Sequence, residues 1–376
     1  MKVALVHDYL REYGGAERVL EVLHEMFPEA PIYTSYLNLD GLGSHAERIK
    51  KWDIKTSWMQ KLPFANKLIS PLRVLAPATF ESFDLTGFDL VISSSSSYFA
   101  NAVIIAPETL HINYIHTPPR YLYGYATSYN YKKHWWTRIA GEIANHFLRL
   151  MDFEIAQRPD ILVANSKNIA SRIKKFYKRD STIIYPPIDV KAFSHQSSVI
   201  RQSDSRKLTA ESYYLSLGRL VRGKGTEIIV EAATKLDLPL KVIGAGPELN
   251  RLKKLAGKNV EFLGLVKDES IPALLAGAKA TIVASEDEDF GIVPVESMAN
   301  GTPVIAVRAG GFLETVVEGK TGEFFDKATT GSLIEVLKDF DYKKYKSEDC
   351  INQAEKFSKE NFKKELQELI DKNLAD

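Results

Sequence analysis

Glu288 and Glu296 stand with seven residues between them in "EDEDFGIVPVESMAN", and two apolar runs, "TIVAS" and "TPVIAV", flank that stretch. An ionised carboxylate only accepts hydrogen bonds, so a pair of them suits a ligand rich in hydroxyls. Arg219 and Lys224 lie five positions apart in "LGRLVRGKG", and cations so placed suit a phosphate group. Carboxylates would repel a diphosphate. The charges therefore divide the work: Arg219 and Lys224 for phosphate, Glu288 and Glu296 for neutral hydroxyls. A molecule with hydroxyls at both ends and phosphates in the middle is a nucleoside diphosphate sugar. Each feature also has a plainer reading by itself. A first-turn Glu296 can simply complement a helix dipole, worth ~0.3–1 kcal/mol, and "RGKG" can be a surface turn.

Around these residues lie candidate backbone sites. "DFGIV" offers the amides of Phe290, Gly291, Ile292 and Val293 beside a glycine at a helix start, a ready place for ligand oxygens. "VIGAGPE" puts Gly244 and Gly246 at a strand end, a pattern that many strand-to-helix turns share. "RAGGFLETV" sets Gly310 and Gly311 before a helix, with Glu314 in its first turn. Asp287-Glu288-Asp289 also reads as an Asp-x-Asp triplet of the kind that can hold Mg²⁺ or Mn²⁺, and such a cation would do the work of Arg219 and Lys224. The cations already present favour the reading without metal.

The elements that must position these groups alternate, strand then helix. "KVALVHDY", "FDLVISSSS", "LHINYIHT", "ILVANS" and "STIIYPP" are strand candidates, and "AERVLEVLHEMF" and "SKNIASRIKKFY" are amphipathic helices, the second capped by Ser166. The polar, Ser-rich stretch Ser194 to Ser212 has no period and reads as a linker. The alternation then restarts at "YYLSLGRL" and runs through "LKVIGAG", "VEFLGLV", "TIVAS", "TPVIAV" and "TGEFF". This order specifies two parallel sheets, each covered by helices on both faces. The expected domains are 1–193, a linker 194–212, 213–350, and a tail 351–376 that returns to the first domain. The tail "CINQAEKFSKENFKKELQELIDKNL" reads as a single charged amphipathic helix. "PVESMAN" reads as a short helix with Pro294 and Glu296 in its first turn and Gly301 just past its end.

A chain of 376 residues exceeds one small core, and a net charge of +1 gives no field that favours nucleic acid. The single cysteine, Cys350, forms no intramolecular disulfide and is too few for a cysteine-based zinc site. The apolar run at the start is too short for a signal peptide, and none reaches the roughly 18 residues that span a bilayer. The expected location is cytoplasmic, and "YKKHWWTRI" would suit the inner face of the plasma membrane: it groups Lys132, Lys133, Trp135, Trp136 and Arg138 in the manner of a headgroup-facing patch. Both tryptophans could equally be core residues of a helix.

Four motifs in order, "HDYLREYGGAERVL", "GRLVRGKG", "GAGPE" and the Glu288/Glu296 pair, resemble the family-4 retaining glycosyltransferases of the GT-B fold, over essentially the whole chain. The last is highly specific and the others are individually loose. The resemblance implies two Rossmann-like domains facing across a cleft, with no cofactor beyond the nucleotide sugar as co-substrate and no bound metal. It implies that Glu288 meets hydroxyls of the transferred sugar, Glu296 the ribose, and Arg219 and Lys224 the diphosphate, with Gly244 beside the donor. It implies that Gly14 and Gly15 admit the donor, and that His116 in "NYIHTPPRYLYGY" lies near the reacting carbon, although a histidine at a strand end is by itself usually structural. Arg120, His7 and Asp8 are further acceptor-side candidates.

"FDLTGFDLVISSSS", "HTPPRYLYGY" and "IIYPPID" resemble enzymes of O-antigen and polysaccharide assembly, which points to mannose from GDP-mannose and a lipid-linked or polysaccharide acceptor. The segment "SSSSSYFANAV" departs from that pattern, with Tyr98 and Asn101 where a histidine and a lysine often stand, so a UDP-linked glucose, galactose or GlcNAc donor remains the alternative. No carboxylate nucleophile is evident, which favours front-face transfer with retention. A sugar-nucleotide sensor that does not turn over would need Glu296 and the cations but not Glu288 and His116.

Overall fold

In a computed structural model, residues 1–63, 68, 71–125, 135–193 and 213–374 are described, with the side chains of 135–140 set aside. The stretch read as a linker, 194–212, and Lys132 and Lys133 lie outside them. The chain divides into two compact units. The first holds 1–125, 135–187 and 362–374, and the second holds 188–193 and 213–361.

The first unit is built on a seven-stranded sheet. Its strands are β1 (Val3–His7), β2 (Ile32–Thr34), β3 (Ile54–Thr56), β4 (Leu90–Ser95), β5 (Leu110–Ile115), β6 (Ile161–Ala164) and β7 (Thr182–Ile183). The order is β3-β2-β1-β4-β5-β6-β7 and every pairing is parallel. All five residues of β1 and all six of β4 are buried, which is why both read as continuous runs rather than alternating ones. Successive side chains still point to opposite faces. Val3 and Leu5 pack with Val19, Leu20 and Leu23 of the Gly15–Met26 helix, whereas Ala4 and Val6 pack with Phe80, Tyr98, Leu148 and Ile155.

The second unit has six strands: β8 (Tyr214–Leu217), β9 (Leu240–Ile243), β10 (Val260–Gly264), β11 (Thr281–Val283), β12 (Val304–Val307) and β13 (Gly322–Phe325). Their order is β10-β9-β8-β11-β12-β13, again parallel throughout. Both sheets are thus doubly wound, and each reverses direction once: between β1 and β4, and between β8 and β11. Ligands of such sheets bind beyond the carboxyl ends of the strands at that reversal.

Two local expectations fail. The tail forms two helices, Ser347–Glu355 and Lys359–Leu374, instead of one. The break comes from backbone pairing: Ile188 N donates to the Phe357 carbonyl at 2.9 Å, and Lys359 N donates to the Ile188 carbonyl at 3.1 Å. Phe357 is buried and meets the Phe290 ring edge-on. Beyond the break, Phe362, Leu366 and Ile370 recur one turn apart and join the apolar cluster under β1. The second failure concerns Glu296. Its helix spans Ile292–Ala299, so Glu296 is the fifth residue, in the second turn, and not in the first. Gly291, at φ 97°, starts the helix earlier than the proline suggested. Pro294 sits third, where its missing N–H has no intrahelical partner to lose.

Candidate functional site

The second unit gathers the charged candidates at its reversal point. Arg219 and Lys224 follow β8, and Glu288 and Glu296 follow its neighbour β11. Lys224 Nζ lies 2.8 Å from Glu288 Oε2, both side chains being partly exposed. The two loops meet because Gly225 replaces a side chain with space. It sits at φ 69°, and a Cβ there would fall 2.3 Å from the Ala284 carbonyl oxygen at the end of β11. Gly244 does the same for the next loop: a Cβ would fall 1.9 Å from the Gly218 carbonyl oxygen, directly before Arg219. The loop with Glu288 is anchored from the other side, where Gly311 N donates to the Glu288 carbonyl at 2.9 Å.

Phe290 is buried and Gly291 caps the Ile292–Ala299 helix without a side-chain bond. The amides of Ile292 and Val293 open that helix, and first-turn amides have no intrahelical acceptor. Glu296 is 4% exposed, too buried for a mere dipole complement on a surface helix. Among the described residues, no group of three or more His, Cys, Asp or Glu side chains is arranged to hold a metal ion.

The first unit has its own polar constellation at the β1–β4 reversal. Asp8 follows β1 and its carboxylate is saturated. Oδ2 accepts from Ser96 N at 2.9 Å, Ser96 Oγ at 2.8 Å, Ser97 N at 2.8 Å and Tyr98 N at 3.0 Å, while Oδ1 accepts from Ala100 N at 2.9 Å. Asp8 therefore shapes the serine loop after β4 and has its carboxylate turned into that loop. His7, 2% exposed, bonds Ser94 Oγ through Nδ1 at 3.1 Å and faces Glu17 Oε1 through Nε2 at 3.5 Å. Ser94 Oγ also meets His116 Nε2 at 2.8 Å. Burial holds the His116 imidazole down at about 3, helped by His7 and opposed by Asp8, so it is neutral at neutral pH.

Gly14 lies before the first helix with an extended backbone, and its N–H donates to Glu17 Oε2 at 2.9 Å. The Gly14 amide thus has a carboxylate partner in the first turn of that helix, and Gly15 is the first helical residue. Arg120 opens the turn that follows β5, its carbonyl accepting from Tyr123 and Tyr125 N–H. Trp135, Trp136 and Arg138 begin the helix Trp135–Ile155. No described helix is long and apolar enough to cross a membrane.

Beside the constellation is a cavity with room for about one water. Ser95, Asn101, Asn113, Thr117, Asp152 and Tyr177 contribute to its wall. Burial pushes Asp152 up to about 7 even though the Tyr123 and Tyr177 hydroxyls bond to it.

Residues 200–357 match the family model for Glycosyl transferases group 1. The group 1 region, under half of the chain, contains Arg219, Lys224, Gly244, Glu288 and Glu296 together. The match supports that family for this chain. A D-inositol 3-phosphate glycosyltransferase of Corynebacterium urealyticum is 28% identical over 59% of this chain and 58% of its own length. The alpha-1,3/1,6-mannosyltransferase alg2 of Schizosaccharomyces pombe is 25% identical over 86% of this chain and 70% of its own. The chain spans 56–58% of the length of several curated relatives it matches. Among solved structures, Anabaena HepE in complex with UDP-glucose superposes with a TM-score of 0.69 at 19% identity, covering 99% of this chain and 100% of that one. The fold is accordingly that of the GT-B glycosyltransferase structures, two Rossmann-like domains with parallel sheets.

Sequence reasoning missed Glu17, Ser94 and the loop 96–100 as parts of the constellation. Glu17 carried a signal: a Glu three residues after the helix cap is the spacing of a capping box. Ser94 carried none, since its role exists only through pairing of β4 with both β1 and β5.

Proposed function

We propose that the chain is a retaining glycosyltransferase that moves a hexose from a nucleoside diphosphate sugar to a hydroxyl of a lipid-linked or polysaccharide acceptor. The observation that carries this is the meeting of Lys224 with Glu288 at 2.8 Å across the reversal of the second sheet. A phosphate-seeking cation and a hydroxyl-seeking carboxylate then lie where one ligand can reach both. Arg219 and Lys224 take the diphosphate, Glu288 the sugar hydroxyls and Glu296 the ribose, with the amides of Phe290, Gly291, Ile292 and Val293 completing the donor pocket beside Gly244. His116, Arg120, Gly14 and Gly15 make up the group on the first unit, where His7 and Asp8 act from behind through Ser94 and the serine loop.

As the bond to the sugar breaks, negative charge grows on the leaving diphosphate, and fixed cations and helix amides stabilise it. The departing phosphate oxygen takes the acceptor proton on the same face, which retains the anomeric configuration without a metal or a carboxylate nucleophile. Mannose from GDP-mannose is the favoured donor, in keeping with the mannosyltransferase alg2 among the relatives. A UDP-hexose is the second reading, favoured by the UDP-glucose complex of HepE.

The acceptor reading draws on the Trp135–Ile155 helix. Its inner side buries Leu148, Asp152 and Ile155, while Ile143, Phe147, Leu150, Met151 and Phe153 stay exposed. An outward apolar set on a helix that begins Trp-Trp-Thr-Arg suits a peripheral membrane contact.

Incubating the protein with GDP-mannose, UDP-glucose, UDP-galactose and UDP-GlcNAc, and following anomeric protons and released nucleotide by NMR, tests the proposal. One donor should be consumed in preference, with the donor's own anomeric configuration in the product. Tight donor binding without any turnover on hydroxyl acceptors would make the chain a sensor, and an inverted product would end the front-face scheme.

A further inference from the structure

We propose that Glu17, His7 and Ser94 form a directional polar relay, an ion-pair contact followed by two hydrogen bonds, that decides which ring nitrogen of His116 carries the proton and ties this choice to the glycine loop at Gly14.

The steps are buried, three of them hydrogen bonds and one, from Glu17 to His7, an ion-pair contact. Gly14 N–H donates to Glu17 Oε2 at 2.9 Å, Glu17 Oε1 faces His7 Nε2 at 3.5 Å, His7 Nδ1 meets Ser94 Oγ at 3.1 Å, and Ser94 Oγ meets His116 Nε2 at 2.8 Å. Glu17, His7 and Ser94 are 7%, 2% and 1% exposed, so bulk water does not scramble the donors and acceptors. Direction follows from what each group can do. A carboxylate only accepts, so His7 presents Nε2–H to Glu17. With its ring proton on Nε2, His7 accepts at Nδ1 a hydrogen bond from the Ser94 hydroxyl. Ser94 has only lone pairs left for His116, so His116 donates from Nε2–H. Its Nδ1 is the nitrogen that accepts, and a half-buried imidazole held this way receives a ligand O–H rather than binding an anion.

Glu17 and Ser94 are thus positioning residues. The relay stands whether or not transfer occurs. Its importance for reaction rests on the assignment of His116 given above. The coupling to the loop arises because the same carboxylate serves both ends: a ligand oxygen that takes the Gly14 amide competes with Glu17 Oε2 and perturbs its hold on His7.

Glu17→Gln tests the relay because the backbone amide cannot change sides. Gly14 N–H can only donate, so the introduced side-chain amide turns its oxygen to Gly14 and its NH2 to His7. His7 must then accept at Nε2 and donate from Nδ1–H. Ser94 in turn donates to His116 Nε2, and His116 becomes the Nδ1–H tautomer. Ring-¹⁵N-labelled histidine, read by long-range ¹H–¹⁵N correlation with His116 assigned by His116→Asn, should give Nε2–H in the parent protein and Nδ1–H in Glu17→Gln. Ser94→Ala should give a mixture of both tautomers. An unchanged His116 tautomer in a folded Glu17→Gln protein overturns the relay. Should Glu17→Gln fail to fold, a single tautomer retained in Ser94→Ala overturns it equally. Neither readout uses a sugar donor, so failure of the relay and failure of the transferase reading are separate results.

Discussion

Lys224 and Glu288 are partners, Nζ to Oε2 at 2.8 Å, although they come from loops 64 residues apart in the chain. The pair is a partly exposed one, and such pairs add little to stability, about 0–1 kcal/mol. Its value lies in placing opposite charges on one small site. Lys224→Ala and Glu288→Gln should each lower kcat/KM by roughly 10²–10³, with little change in melting temperature. The double variant should lose less than the product of the two, since contacting residues couple. Strictly multiplicative losses would mean that the two act independently. Activity should persist in excess EDTA; loss restored by Mg²⁺ or Mn²⁺ would hand the role of Lys224 to a cation bound at Asp287 and Asp289.

Asp8 predicts a different phenotype. Its carboxylate takes four backbone N–H groups and one hydroxyl from the serine loop. An amide in its place can accept on one oxygen only and turns NH2 toward donors. With its oxygen kept at the Oδ2 position, Asp8→Asn leaves the Ala100 N–H facing NH2 and should cost about 1–3 kcal/mol in urea unfolding. A loss below about 1 kcal/mol would mean that the loop holds itself.

Asp152 carries a pH signature. Its folded pKa is raised to about 7 from an ordinary 3.8, chiefly by burial. The folded state thus binds this proton more tightly than the unfolded chain does. Its contribution is full at acidic pH, declines as pH rises from about 4 to about 7, and is level above that. The total is on the order of 4 kcal/mol as an upper bound. Unfolding free energies of the parent protein and Asp152→Asn, compared at about pH 5 and about pH 8, should show the parent falling further. Parallel pH dependence in the two would remove Asp152 as the cause.

The exposed apolar side of the Trp135–Ile155 helix offers a test of membrane contact. Phe147→Ser/Leu150→Ser and Trp135→Ala/Trp136→Ala should each reduce cosedimentation with anionic phospholipid vesicles, and about 0.5 M salt should weaken the parent protein's binding. Equal binding by all three proteins would remove the lipid surface from the proposal.

The main architecture is legible in the chain because burial on both faces writes a continuous apolar run. "KVALVH" and "LVISSS" supply β1 and β4. β2 and β3 do not stand out, because three residues of strand carry too little pattern to rise above loop. The Ser166 cap can be read directly, and its hydroxyl accepts from Ile169 N at 3.0 Å. The tail looks like one helix in sequence because its break is imposed by Ile188, a residue far away along the chain.

For the site the division is similar. Residue types and local spacing by themselves determined which groups are cationic, which are acidic, and that each follows a strand. Only the tertiary structure decided who touches whom. Lys224 meets Glu288 because β8 and β11 are neighbours, and His7 meets Ser94 because β1 and β4 are. The β1–β4 adjacency also turned Asp8 inward to the serine loop, and the pairing of β4 with β5 set His116 against Ser94. The physical reason is that propensity, capping and periodicity act over a few residues of chain, whereas hydrogen bonds and ion pairs depend on distances in space that the strand order creates.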